Sequence, residues 1–159
     1  LVTAFASAAA VLESLHLLLV GPDEGGLKEE IVQTAGEFAD RVHFVDYTDA
    51  PERYMAACDV FCLPSYREGF GSVIIEAAAC GVPAMGSRIY GITDAIEEGK
   101  SGLLFNPGDV HALSGCMREM AEDTLMRERM GAYARERAIR DFSSERVTGA
   151  WLRYYDELP

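Results

Sequence analysis

The chain has 159 residues, a length typical of one domain that buries roughly two thirds of its unfolded surface without a disulfide or a structural metal. Its formal net charge of −12 and pI of about 4.6 argue against binding to nucleic acid, whose phosphates require lysine and arginine. Hydrophobic residues make up 49% of the chain, but no apolar run is long enough to span a bilayer.

The predicted secondary structure alternates between strands and helices. The first residues are apolar at helical spacing, and because this helix has no visible start, we expect a fragment of a longer protein. Short apolar runs predict strands at residues 16–20, 41–47, 59–64, 82–87 and 102–105. Amphipathic spacing and end signals predict helices at residues 27–39, 50–58, 71–80 and 92–99, and then at 109–123, 124–142 and 143–158.

This alternation indicates a fold class. Strands that alternate with helices form a parallel sheet covered by helices on both faces. The runs are short and continuously apolar, as expected for strands that are buried on both sides. The sequence therefore predicts an α/β fold with a doubly wound, Rossmann-like parallel sheet, followed by C-terminal helices.

Metal and redox chemistry have little support in the sequence. The four cysteines follow no spacing of a zinc or redox motif, and their neighbours are mostly apolar or small. We interpret them as buried free thiols in a reducing compartment. The three histidines lie far apart in the sequence, so we predict no metal site.

The loop after the third predicted strand is the strongest candidate site. Ligands of doubly wound sheets bind beyond the carboxyl ends of the strands, and this strand ends at Pro64. The loop SYREGFG leads into a helix near Gly71, and a helix start offers free N–H groups and partial positive charge to a phosphate. Gly69 and Gly71 would let an anion approach the backbone. A dinucleotide fingerprint is absent, because its third glycine would fall at Ile74.

Two glutamates flank this helix start. Glu68 lies in the loop, and Glu76 lies about one and a half turns into the helix. Carboxylates accept hydrogen bonds from hydroxyls, so a sugar and a ribose on either side of a phosphate would suit them. The alternatives are a solvated loop residue for Glu68, the polar side of a half-buried helix for Glu76, and a simple turn and helix cap for the glycines.

The segment EGFGSVIIEA, followed by CGVPAMGS, has seven residues between its two glutamates. It resembles the E-x7-E segment of retaining glycosyltransferases with the GT-B architecture, in particular glycosyltransferase family 4. The resemblance extends across the chain, through LHLLLVG, YMAACDVFCLPS, GITDAIEEGKSGLLFNPGDVHAL and the closing FSSERV. It implies that residues 1–159 form a nucleotide-sugar-binding domain, the C-terminal half of a two-domain enzyme.

The resemblance also implies roles for individual residues. The amides of Phe70 and Gly71, with Gly69 and Ser72 beside them, would contact the donor diphosphate or sugar. Glu68 would orient the hydroxyls of the transferred sugar and is the predicted catalytic residue. Glu76 would hold the ribose hydroxyls.

Two further segments complete the predicted cleft. Tyr47 and Thr48 lie where the family frames the base, and residues 87–92 would form a neighbouring wall. The second of these segments contains Tyr90 and Gly91 where the family often has two glycines. The arginine and lysine that the family places on the donor phosphates would precede Leu1.

The implied function is transfer of a sugar from a UDP- or GDP-sugar to a hydroxyl acceptor, with no metal or other cofactor. The acceptor would be bound mainly by an N-terminal domain, and this chain alone would be inactive. We expect a cytoplasmic location, at the inner face of the membrane if the full protein contacts it peripherally. The competing functions are a non-catalytic nucleotide- or phosphometabolite-binding module and a nucleotide-sugar 2-epimerase or phosphorylase.

Overall fold

Five short strands alternate with helices in the computed structural model, which describes residues 1–158 and leaves Pro159, the last residue of the predicted domain, outside. The strands are β1 (Leu17–Val20), β2 (Val42–Val45), β3 (Phe61–Leu63), β4 (Ala84–Ser87) and β5 (Gly102–Phe105). The helices are α1 (Val2–Ala9), α2 (Lys28–Ala35), α3 (Pro51–Ala57), α4 (Ser72–Ala79), α5 (Ile92–Ala95), α6 (Val110–Glu122), α7 (Thr124–Phe142) and α8 (Ser144–Asp156). The predicted α/β fold with C-terminal helices is confirmed.

The strands are all parallel, but they form two sheets instead of the single sheet that we expected. One sheet has the order β1-β2, and the other has the order β3-β4-β5. Within residues 1–158, β1 and β3 each have a strand partner on one side only, so no hydrogen-bond ladder joins the two sheets. Both sheets nevertheless contribute to one core, because Leu17 and Val42 belong to the same buried cluster as Met85 and Phe105.

Helices cover both faces of the strands. On one face, α1 packs against α6 and α2, and its Phe5 is almost fully buried with Met117 and Met120 of α6. On the other face, α4 and α5 bury Ile74 and Ile92 against Ala84 of β4. Burying one such large side chain stabilises the fold by roughly 1.5–3 kcal/mol.

Two of the helices predicted with bounds end earlier than predicted. The helix predicted at residues 92–99 ends at Ala95, because Ile96 is extended, with φ of −105° and ψ of 121°. The helix predicted at residues 27–39 ends at Ala35, because Gly36 has a φ of +58° and a 3-10 turn follows to Arg41.

The first helix ends at Ala9, and the side chain of Arg41 donates from Nη1 to the carbonyls of Ala9, Leu12 and Glu13 at 3.3, 2.8 and 3.1 Å. A cation near the last carbonyls satisfies acceptors that the helix leaves free.

The four cysteines are free thiols as predicted, but their side chains are only partly buried, whereas we predicted buried ones. Removal from water raises the pKa of the Cys62 thiol, in β3, to about 12. This thiol therefore stays protonated and weakly nucleophilic at neutral pH.

The last helix lies on the outside of the fold. Helix α8 contacts mainly α7 and has no buried residue. Its Trp151, Tyr154 and Tyr155 are more than half exposed and contact one another, Trp151 stacking on Tyr155 while Tyr154 meets both rings edge to face. An open groove of about 490 Å³ lies beside it, lined by residues that include Val147, Ala150 and Trp151. Within residues 1–158, no helix combines the length and apolarity needed to cross a membrane.

Two glycines in long helices provide a test of how tightly α7 packs. A Cβ on Gly131 of α7 would lie 2.2 Å from the carbonyl oxygen of Gly81, whereas a Cβ on Gly115 of α6 would meet no atom within 4 Å. We expect Gly131→Ala to lower the free energy of unfolding by roughly 1–3 kcal/mol through overpacking. Gly115→Ala should raise it by roughly 0.5–1 kcal/mol through helix propensity.

Urea unfolding followed by circular dichroism measures both changes. A Gly131→Ala variant as stable as the Gly115→Ala variant would contradict the close approach of α7 to the Gly81 turn.

Candidate functional site

The start of α4, together with the loop that leads to it, forms the α4 tip (residues 68–72). Gly71 caps the helix in the left-handed conformation, with φ of +69° and ψ of +46°, and no side chain caps the helix there. Within residues 1–158, the amides of Phe70, Gly71 and Ser72 have no hydrogen-bond acceptor. Unpaired amides at a helix start attract anions.

The two glutamates occupy different environments at this tip. Glu68 is half-buried, and its Oε1 accepts a hydrogen bond from the amide of Gly69 at 3.2 Å. Glu76 is exposed and follows Ser72 by four residues, which places both on one face of α4. The exposed position of Glu76 agrees equally well with the alternative interpretation, in which Glu76 is a solvated residue on the polar side of a half-buried helix.

The loop before α5 lies directly against the α4 tip. Gly91 has a φ of +85°, and a Cβ there would lie 2.5 Å from the carbonyl oxygen of Gly69 and 3.0 Å from that of Glu68. Only glycine combines this φ with so close an approach. The structure thus places Gly91, within the predicted wall at residues 87–92, directly beside residues 68–69.

Tyr47 and Thr48 lie apart from this contact, after the end of β2. Tyr47 is 78% exposed, and Thr48 uses its Oγ1 to accept from the amide of Ala50 at 3.1 Å. No hydrogen bond or aromatic contact within residues 1–158 joins this loop to the α4 tip.

Two ion pairs lie near these loops on the protein surface, whereas Arg67, next to the α4 tip, is exposed and forms no ion pair within residues 1–158. Lys28 contacts Asp46 at 2.8 Å, and this ammonium group lowers the pKa of the Asp46 carboxyl. Arg88, beside the α5 loop, pairs with Glu98, and the hydrogen bond from Arg88 lowers the pKa of that carboxyl. Among the described residues, no group of three or more histidine, cysteine or acidic side chains could hold a metal ion.

Two residues near the site, Phe142 and Arg137, were missed by the sequence analysis. The Phe142 ring contacts the Phe70 ring in a tilted arrangement at a centroid distance of 5.5 Å, and Arg137 lies over the Phe142 ring. Ser87, the first residue of the predicted wall at residues 87–92, is fully buried with no hydrogen-bond partner for its Oγ within residues 1–158.

The amides of the α4 tip can bind an anion, and the carboxylates of Glu68 and Glu76 can bind hydroxyl groups. The amides supply hydrogen-bond donors and the positive end of the helix dipole. The free oxygens of the carboxylates of Glu68 and Glu76 can only accept. A ligand with both phosphate and hydroxyl groups fits this set of donors and acceptors.

Comparison with known proteins identifies similar chains. The model of the family described as glycosyl transferases group 1 matches residues 1–137. The N-acetyl-alpha-D-glucosaminyl L-malate synthase of Bacillus anthracis is 36% identical over 120 residues, which are 75% of this chain and 32% of that protein.

The fold is similar to that of Anabaena HepE in complex with UDP, with a TM-score of 0.88 and 25% identity over 98% of this chain. The same protein in complex with UDP-glucose gives a TM-score of 0.86 and 26% identity. The chain spans 44% of HepE and about a third of the Bacillus protein.

The contact between the α5 loop and the α4 tip can be tested with two glycines of positive φ. Gly91→Ala and Gly99→Ala both strain the backbone, and each should cost roughly 1–2 kcal/mol of stability for that reason. Gly99 has a φ of +75° and open space around it, whereas Gly91 abuts Gly69. We therefore expect Gly91→Ala to cost roughly 1–3 kcal/mol more.

Urea unfolding measures the two costs, and amide NMR spectra locate the disturbance. The signals of residues 68–72 should move in Gly91→Ala and stay in place in Gly99→Ala. Equal costs, with no movement at the α4 tip, would show that the two loops do not touch.

Proposed function

The chain belongs to the glycosyl transferases group 1, with the GT-B fold, and we propose that it is the donor-binding half of a retaining enzyme of glycosyltransferase family 4. The intact enzyme would transfer a sugar from a nucleotide diphosphate to a hydroxyl acceptor. Because the chain spans a third to less than half of the relatives described above, we propose that the remainder of the protein binds the acceptor.

The observation that carries this proposal is the set of unpaired amides at the α4 tip. Phe70, Gly71 and Ser72 present N–H groups at the carboxyl end of a parallel strand, where α/β sheets bind their ligands. We assign these amides to the donor diphosphate, which can approach the backbone of Gly69 closely because open space surrounds the position where a Cβ would stand. As the sugar leaves, the amides would stabilise the charge that grows on the diphosphate oxygens.

The two carboxylates would orient the rings on either side of the diphosphate. Glu68 uses Oε1 on the Gly69 amide, which leaves its second oxygen for a hydroxyl of the transferred sugar. Glu76, on the face of α4 that also contains Ser72, would accept from the ribose hydroxyls. We further propose that Tyr47 and Thr48 frame the base, supported only by their position after the end of β2.

We propose a UDP- or GDP-sugar as the donor, with no metal ion or further cofactor. The UDP and UDP-glucose bound to HepE, which shares this fold, support a nucleotide-sugar. Helix amides and basic side chains from elsewhere in the longer protein would balance the diphosphate charge. The four free thiols suit a cytoplasmic protein, and we expect the chain alone to bind donor weakly and to transfer no sugar.

A titration of the chain with UDP, GDP and inorganic pyrophosphate tests the assigned amides. We expect UDP or GDP to shift the NMR signals of Phe70, Gly71 and Ser72 before those of other residues, because these amides receive the diphosphate. If neither nucleotide moves them at millimolar concentration, the proposed function is wrong.

A pair of glutamate variants tests the ribose assignment. Glu76→Ala should weaken UDP or GDP binding about 10-fold, the loss expected for a hydrogen bond to a charged acceptor. It should leave pyrophosphate binding unchanged, because pyrophosphate has no ribose. Glu128→Ala, an exposed glutamate of α7, is the matched control and should affect neither ligand. If wild type and Glu76→Ala bind the nucleotide with equal affinity, Glu76 does not bind the ribose.

A further inference from the structure

The ring of Phe70 connects the α4 tip to the C-terminal end of α7. Phe70 lies next to the capping Gly71, and its ring is 39% exposed. The remainder of the ring packs on Phe142, with ring centroids 5.5 Å apart and the planes tilted by 50°. This distance and tilt are typical of a favourable aromatic pair. Phe142 is the last residue of α7, immediately before the Ser143 cap of α8.

The Phe142 ring is in turn held by Arg137, five residues earlier in α7. The guanidinium carbon of Arg137 lies 5.0 Å from the centroid of the Phe142 ring, a cation–π contact. This side chain is only 16% exposed, and it donates from Nη1 to the Ala95 carbonyl at 2.6 Å and from Nη2 to the Asp94 carbonyl at 2.7 Å. Its position is therefore determined by the C-terminal end of α5.

These contacts form a closed ring around the α4 tip. Helix α5 begins after Gly91, which abuts the carbonyl of Gly69, and it ends at the carbonyls that hold Arg137. From Arg137 the contacts return through Phe142 to Phe70. The tip is thus held on one side by the start of α5 and on the other by the end of α7.

We infer that Phe142 is a positioning residue for the α4 tip, held in place by Arg137, and that it keeps the amides of Phe70 and Gly71 directed at the donor diphosphate. The second half of this inference rests on the proposed function. In this role Phe142 acts through its contact with the ring of Phe70 and not by binding the ligand. The position of the α7–α8 junction is therefore coupled to donor binding.

The first experiment needs no ligand. The amide of Ile74 donates to the Gly71 carbonyl at 2.9 Å, so its hydrogen exchange reports on the order of the tip. Phe142→Ala should speed this exchange, and Phe142→Tyr, which keeps the ring, should restore it. Ile139→Ala, an exposed change in the same helix, is the control and should leave the exchange unchanged. Unchanged exchange in Phe142→Ala, with thermal midpoints equal, would overturn the positioning role.

The second experiment titrates the same variants with UDP and GDP. We expect Phe142→Ala to bind whichever nucleotide the wild type binds about 2- to 10-fold more weakly, with Phe142→Tyr close to wild type. Faster Ile74 exchange with unaltered nucleotide affinity would overturn the coupling to donor binding. If the wild type binds neither nucleotide, the proposed function and the coupling fall together, while the exchange data still decide whether Phe142 positions the tip.

Discussion

The organisation of this domain depends on one constraint: a helix start whose amides are left free must be held in place by contacts from outside the helix. Gly71 turns the chain into α4 in a left-handed conformation, so the cap is made by backbone geometry and no side chain occupies the amides. A polar cap from serine, threonine, asparagine or aspartate would stabilise the helix by about 1 kcal/mol but would cover the site. The absence of such a cap within the described residues is consistent with a helix start that is reserved for a ligand.

Packing against the rest of the fold compensates for this weak helix end. Ile74 and Ala77 of α4 are almost fully buried, and α7 lies along the helix so closely that Gly131 meets the backbone of Gly81. The loop before α5 adds a contact from the other side, where Gly91 touches the carbonyl of Gly69. Tertiary contacts of this kind supply most of the stability of short helices in proteins.

Electrostatic attraction of an anion to this domain also depends on groups close to the α4 tip. A chain with a net charge of −12 repels an anion at long range, so the proposed attraction of a diphosphate requires dipoles at short distance. The basic side chains Lys28 and Arg88 are engaged with Asp46 and Glu98. Within the described part of the chain, the α4 amides and the exposed, unpaired side chain of Arg67 are donors near the α4 tip that are free to bind a phosphate. In the function that we propose, the carboxylates of the two candidate glutamates accept hydrogen bonds from hydroxyl groups of the ligand.

The sequence by itself determined the alternation of strands and helices, the glycines at the α4 tip and the spacing that places Ser72 and Glu76 on one face. These features depend on local periodicity and backbone freedom, which neighbouring residues specify. The predictions of a single sheet, of the lengths of the second and fifth helices and of buried cysteines were wrong, because ladder pairing, helix ends and burial depend on distant residues. Only the tertiary structure decided that Gly91 meets Gly69 and that Phe142 meets Phe70. Each of these contacts joins segments far apart in the chain, so no periodicity within either segment encodes it.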